Sequence, residues 1–430
     1  GSEFIVHSVR HMLSVNPTWT LTTIDAANAY GTVSRSAIRR QLSDAVAPHA
    51  FTMAYFDRFC APQFLIRHGR NFKVSVAEGV IQGDPLSPLL FALALQPALL
   101  KTEQTLKTFQ PQVDNARVFA YLDDVCILAP APVTASVFNT FRQAAADVDL
   151  MINQTKTMLF TPAMVSESGI PGDIMALQAE IGGRVAFPTT SLLGSVLCRD
   201  EAQPSVCDHV TASEVDTKLF RRLDSIPSLQ IRLLLLRISI SRSYLHRLRT
   251  SPPSQTDVMA ARVDAKIARS LSLLVGGNDR EQLSALALKE ALLPASDGGL
   301  GIPCLTDIRL AAYVASLLAT MQQWRRYIPD DNVLLSTWAA STSLSALLQP
   351  TVQFASAALK DTLVFPVSSQ DALVFSGTNK LQKRLVEFVD INTVALIKQQ
   401  SLTTNLARAQ YLSKTQRGAR AFLQACPTDR

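Results

Sequence analysis

Between Ala116 and Ala129 the chain reads Ala-Arg-Val-Phe-Ala-Tyr-Leu-Asp-Asp-Val-Cys-Ile-Leu-Ala. Val118–Leu122 and Val125–Ala129 are apolar, β-branched and aromatic, so each reads as a strand with only a tight turn between them. The pair Asp123 and Asp124 sits at the tip of that otherwise apolar hairpin. Adjacent carboxylates raise each other's pKa, and apolar walls make their ionisation costlier still. A local rule broken with no structural gain points to function. Clustered carboxylates are relieved by a hard divalent cation such as Mg2+, which takes oxygen ligands. Alone, an ordinary surface turn containing Asp-Asp explains the pair equally well, so the surrounding chain decides.

The 430 residues have room for two or three domains and a sizeable core. At 47% hydrophobic and 18% charged residues, a disordered chain is excluded. The net charge of +6 suits a polyanionic partner without requiring one. The cysteines, Cys60, Cys126, Cys198, Cys207, Cys304 and Cys426, show neither a C-x-x-C pair nor Cys/His zinc spacing. That pattern predicts a reducing, intracellular setting and no zinc. The longest apolar run, Leu86–Leu100, is too short to span a bilayer and contains prolines, so no membrane association is expected.

Further chemistry appears along the chain. Ile5, Val6, Val9, Met12 and Leu13 repeat at helical spacing, and Trp19–Ile24 reads as a strand that ends in Asp25. A helix is expected from about Ser36, carrying Ile38, Leu42 and Val46. A carboxylate at the end of a buried strand is a recurrent catalytic or metal-binding position. Asp25, Asp123 and Asp124 together could hold two Mg2+ ions about 3.5–4 Å apart, the arrangement used for in-line displacement at phosphorus. Phe64–His68 and Phe72–Val76 read as strands around Gly69-Arg70-Asn71. In the following Gly79-Val-Ile-Gln-Gly-Asp-Pro-Leu-Ser-Pro88, Gly83 allows close backbone approach and Asp84 or Ser87 is placed to cap the next helix. Leu89–Leu100 is apolar on almost every side and is expected to be buried all round.

Three segments, Asp25-Ala-Ala-Asn-Ala-Tyr30, Gln82-Gly-Asp-Pro-Leu-Ser-Pro88 and Tyr121-Leu-Asp-Asp124, resemble in wording and order those of the reverse transcriptase family. The Gln-Gly-Asp-Pro-Leu-Ser-Pro wording is most similar to non-LTR (LINE-type) retrotransposons. The resemblance implies an α+β right-hand polymerase palm, an antiparallel sheet with packed helices, followed by an all-helical thumb and a helical C-terminal region. It implies that Asp25, Asp123 and Asp124 are catalytic and, with Ala26, bind two Mg2+ ions, Mn2+ being the alternative. Tyr30 would lie under the incoming dNTP sugar and exclude a 2′-hydroxyl, Gln82 and Gly83 would lie along the nascent pair and template, and Lys156 would sit near the dNTP. Tyr121, Leu193 and Gly194 would meet the primer. A bland reading stands beside each: Tyr30 as a core aromatic, Lys156 as a loop lysine.

From Lys218 to Arg249 the pattern is helical and basic; the resemblance implies a thumb here, in which Arg221, Arg222, Arg232 and Arg237 would contact nucleic-acid phosphates. Arginine-rich helices are also commonly plain solvated faces. Beyond Asp257 the chain reads as helical, with Gly298-Gly-Leu-Gly-Ile-Pro303 as a helix stop and turn and long helices over Ala311–Tyr327 and Asn379–Gln400. The expected division is 1–200 palm with residual fingers, 201–256 thumb and 257–430 helical connector, a fragment lacking most of the fingers and any endonuclease. The expected function is an RNA-directed DNA polymerase core acting on an RNA template and a DNA primer or target, intracellular and nuclear. Two alternatives stay open: an inactive reverse-transcriptase-like nucleic-acid-binding or scaffold protein, and an RNA-dependent RNA polymerase, which Tyr30 disfavours.

Overall fold

A computed structural model describes residues 1–44, 54, 56–58, 60, 63–67, 70–74, 78–109, 113, 115–199, 210, 212, 215, 217–275, 283–327 and 381–401. They fall into two compact units, one of Gly1–Ile5 and Val9–Leu193, the other of Val6–Ser8 and Gly194–Arg430.

The first unit is built on a five-stranded sheet. Its strands are β1 (Thr20–Ile24), β4 (Arg117–Tyr121), β5 (Asp124–Ala129), β6 (Met158–Phe160) and β7 (Arg184–Val185), in the order β4-β5-β1-β6-β7. All pairings are antiparallel except β6 with β7. β1 is central, and Thr20, Leu21, Thr22 and Ile24 are all buried. The Thr20 and Thr22 hydroxyls have no hydrogen-bond partner among the described residues. β5 buries Val125 through Ala129, which explains why its sequence is a continuous apolar run and not an alternation.

The helices of this unit include α1 (Ser2–Val15), a short turn of helix α2 (Ala29–Thr32), α3 (Arg35–Asp44), α4 (Ser87–Lys107), α5 (Ala131–Ala146) and α6 (Gly172–Ile181). The apolar periodicity of α1 is realised, with Ile5, Val6, Val9, Met12 and Leu13 buried. In α3, Ile38 and Leu42 face inward, while Val46 lies outside the described residues. α4 corrects one expectation. It packs against α5 through Leu90, Phe91, Ala94, Leu95 and Ala98, but Leu89 and Leu100 are each 48% exposed. Burial therefore follows one helical face, and apolar side chains left over remain in solvent, as on most protein surfaces. Neither Asp84 nor Ser87 caps α4: the cap residue is Leu86, and Asp84 Oδ1 accepts the Leu86 N–H at 2.8 Å.

A separate hairpin pairs β2 (Gln63–Arg67) with β3 (Arg70–Val74). Arg70 and Asn71, expected in the turn, belong to the strand, because the register pairs Arg67 with Arg70. β8 (Thr189–Leu192) and β9 (Ser195–Cys198) form the third sheet. Cys60, Cys126 and Cys304 are free, but Cys198 is disulfide-bonded, so the expected reduced state does not hold at that cysteine.

From Thr217 every described element is helical. These are α7 (Thr217–Asp224), α8 (Leu229–Ile238), α9 (Leu245–Thr250), α10 (Asp257–Leu274), α11 (Ala285–Leu292), α12 (Leu305–Tyr327) and α13 (Leu381–Ser401), with 3₁₀ turns at Ile240–Arg242, Pro253–Gln255 and Ala295–Asp297. One apolar core runs from Phe220 and Leu223 through Leu236, Ile240 and Leu248 to Met259, Val263, Ile267, Ile302 and Leu305. The glycine segment before α12 is the predicted stop and turn. Gly298 and Gly301 have φ +90 and +72, and a Cβ at Gly299 would lie 2.1 Å from the Leu293 carbonyl oxygen. Asp264 on α10 closes this corner. Its carboxylate accepts the N–H groups of Leu305 and Thr306, both at 2.9 Å, and the Thr306 hydroxyl at 2.7 Å. These are the otherwise unpaired donors of the α12 N-terminus, capped here by a side chain from another helix. Among the described residues, no helix is long and apolar enough to cross a membrane.

Candidate active site

The sheet register brings the three acids to one end of neighbouring strands. Ile24 pairs with Val125, so Asp25, which follows Ile24, and Asp124, which precedes Val125, leave the β1–β5 ladder side by side. Tyr121 pairs with Asp124, so Leu122 and Asp123 alone form the β4–β5 turn. Asp123 is thus the tip residue and Asp124 the first residue of β5, one residue further into the strand than the sequence pattern suggested. Leu122 carries φ +59, a conformation that costs a non-glycine residue about 1–3 kcal/mol. Two-residue hairpins need such a φ to match strand twist and normally use Gly or Asn for it. Leucine bearing it here means that the flanking ladder enforces the turn.

The acids interact. Burial, then Asp123 and then Asp25, push the Asp124 carboxyl above its ordinary value. Lys156 Nζ lies 3.6 Å from Asp25 Oδ2. The segment before Lys156 fixes the Asp25 backbone: the Asn153 N–H donates to the Asp25 carbonyl at 2.7 Å, the Ala27 N–H to the Met151 carbonyl at 2.8 Å, and Ala26 bridges Ile152. The donor set is all oxygen, as a hard divalent cation requires. Repulsion at Asp124 is what a cation would relieve, so the residues suit one chemically. Among the described residues, however, no three His, Cys, Asp or Glu side chains are closed into a metal-holding group.

Tyr30, in α2, lies beside this end of the sheet. Its ring stacks on Phe91 of α4, with centroids 4.9 Å apart and planes 6° from parallel. Burial and then the Asp123 charge raise its hydroxyl pKa. Phe91, Asp123 and Ala26 share the wall of a cavity of about 10 Å³, room for about one water molecule. The loop that leads to Gln82 is clamped to the same place. The Val80 N–H donates to the Tyr30 carbonyl at 2.6 Å and the Gly79 N–H to the Val33 carbonyl at 2.9 Å. Gly79 has φ +75, and a Cβ there would lie 2.4 Å from the Gly31 carbonyl oxygen. Gln82 and Gly83 are exposed beyond the clamp, and Gly83 has φ +92 with open space where a Cβ would be. Sequence reasoning missed both Phe91, read only as one of many apolar residues of α4, and Gly79, whose value rests on a long-range approach.

The other singled-out residues are scattered. Tyr121 is 40% exposed next to the acids. Leu193 (φ +49) and Gly194 (φ +80) form the β8–β9 turn, and Gly194 faces the His246 ring, 3.5 Å from a hypothetical Cβ. Arg221 and Arg222 of α7 are exposed. Arg232 corrects the expectation of a surface contact: it is buried, with its guanidinium 3.5 Å from Asp224, whose carboxylate also pairs with Arg269. Helical phase explains this, since Arg232 shares the inward face of α8 with Leu233 and Leu236. Arg237 packs against Gly301, where a Cβ would lie 3.2 Å from its Nε.

Residues 4–197 match the family model described as reverse transcriptase (RNA-dependent DNA polymerase). No curated protein matches the sequence. Among solved structures, apo telomerase from Candida tropicalis is similar at 12% identity and a TM-score of 0.36, over 89% of this chain and 56% of that one. Telomerase from Candida albicans with a TWJ fragment of telomeric RNA gives 12% and 0.34, over 81% of this chain and 52% of that one. The chain therefore spans about half the length of these telomerase chains, and at such scores only the family match bears on it. Over residues 4–197, somewhat under half of its length, the chain is similar to the reverse transcriptase (RNA-dependent DNA polymerase) family.

Proposed function

We propose that the chain is the core of an RNA-directed DNA polymerase of the non-LTR retrotransposon type, joining dNTPs to a primer 3′-hydroxyl on an RNA template. The observation that carries this is the side-by-side exit of Asp25 and Asp124 from paired strands, with Asp123 on the adjoining turn. In this reading Asp25, Asp123, Asp124 and Ala26 would hold divalent cations, Mg2+ first and Mn2+ as the alternative. Bound there, such cations would acidify the attacking hydroxyl and neutralise charge on the phosphates. The protein's own residues then have positioning and charge to supply, because phosphoryl transfer asks little covalent chemistry of them. Tyr30 would close the space beneath the sugar, and Gln82 and Gly83 would border the nascent pair. Lys156 Nζ would place a positive charge and a proton donor near the departing pyrophosphate. Tyr121, Leu193 and Gly194 would meet the primer, and the exposed Arg221 and Arg222 would hold the duplex phosphates. The palm would comprise 1–200, the thumb 201–256 and the connector 257–430, with a nuclear site of action.

A second reading, an inactive nucleic-acid-binding relative, draws support from one observation: Lys156 places its ammonium 3.6 Å from the Asp25 carboxylate, where a cation would otherwise bind. Primer extension on an RNA template separates the two. Under the first reading, extension occurs with dNTPs, needs a divalent cation and falls by about 10³-fold or more in Asp123→Ala. Salt-sensitive nucleic-acid binding with no extension supports the second. Extension with NTPs in preference to dNTPs would indicate an RNA polymerase instead.

A further inference from the structure

We infer that Phe91 is a positioning residue for sugar discrimination, acting through Tyr30; this rests on the polymerase reading above. The stack is nearly parallel, at 4.9 Å and 6°, and Phe91 is 1% exposed. Its own place is fixed by the α4–α5 packing, in line with Leu90, Ala94 and Leu95. Tyr30, in contrast, sits on a helix of only Ala29–Thr32, entered from Asn28 at φ +49. So short a helix gives a side chain little rigidity of its own.

The main chain of Tyr30 is held by Val80, whose approach depends on the absence of a side chain at Gly79. The ring is held by Phe91. A residue that excludes a hydroxyl by bulk works only if its ring cannot tilt away, because an extra hydroxyl is otherwise weakly rejected. The Phe91 face supplies the resistance to tilting. Phe91 meets the proposed sugar contact, Tyr30, face to face, so its effect on the sugar passes through the angle of that ring.

The test compares kcat/KM for dNTPs and NTPs in wild type, Phe91→Leu, Tyr30→Ala and the double variant. Phe91→Leu keeps an apolar side chain of similar volume, and its thermal unfolding is recorded in parallel. The expected result is a fall of about three- to tenfold in the dNTP preference, the worth of one stacked aromatic pair, mainly through a lower KM for NTPs. In the Tyr30→Ala background, Phe91→Leu should change the preference no further. An unchanged preference in folded Phe91→Leu, or equal effects in both backgrounds, overturns the inference. Should Phe91→Leu fail to fold, Phe91→Met, a more flexible apolar filler with no ring face, carries the same expectation and the same overturning result. Wild type without dNTP extension would instead overturn the polymerase reading itself.

Discussion

Asp123 and Asp124 were legible at the level of single residues because their cost is local: two like charges in an apolar hairpin announce themselves in any chain. Asp25 was legible as the end of a strand, and the sheet register confirms that it lies beside Asp124. Phe91 and Arg232 were not, since nothing in a sequence distinguishes a core phenylalanine from one under a tyrosine, or a buried arginine from a solvated one. Two residue-scale outcomes follow. Thr22 places a hydroxyl in the sheet interior with no partner among the described residues. Thr22→Val should therefore raise stability by about 1 kcal/mol, read as a higher urea midpoint. Asp124, pushed upward by burial, Asp123 and Asp25, opposes folding once it ionises. Asp124→Asn should raise the melting temperature at neutral pH without divalent cations and, on the proposed polymerase reading, remove primer extension; a melting temperature unchanged or lowered would contradict the charge argument.

Among elements, strands and helices with a clear period were predictable, and their positions relative to one another were not. The apolar run of β5 and the 3.6-residue period of α1 fixed their type. The all-round apolar character of α4 misled, because composition gives hydrophobicity but not which face finds a partner. Gly298–Pro303 was read correctly as a stop, yet its tightness comes from Leu293, outside the segment. Gly299→Ala would force a Cβ onto the Leu293 carbonyl oxygen, and about 2–4 kcal/mol of destabilisation is expected in chemical denaturation. Gly172, where a Cβ meets nothing within 4 Å, serves as the tolerant control.

For the whole molecule, the sequence pointed to a sheet-bearing first half and a helical remainder, and the structure has that succession. In the helical unit, Asp390 of α13 is pushed up to about 6, by burial first and then by Asp297, Glu387 and Asp307. The folded state thus keeps its proton at pH values where the unfolded chain has lost it. Stability from this group is full below about pH 4, the unfolded value, and is lost as pH rises through about 6. The gain in melting temperature from pH 7 to pH 5 should shrink in Asp390→Asn relative to wild type. Nucleic-acid binding provides the other global test. On the proposed polymerase reading, removing Arg221 or Arg222 should weaken binding and lower the salt slope by about 0.9 each. Removing Arg232 should instead destabilise the fold, leaving Asp224 short of one buried partner.

The Asp264 carboxylate has a mechanical corollary. By holding the first donors of α12 from the middle of α10, it rivets two long helices that are separated by thirty residues of chain. Any motion within this unit must carry those helices as one lever, and the bending must be taken up elsewhere.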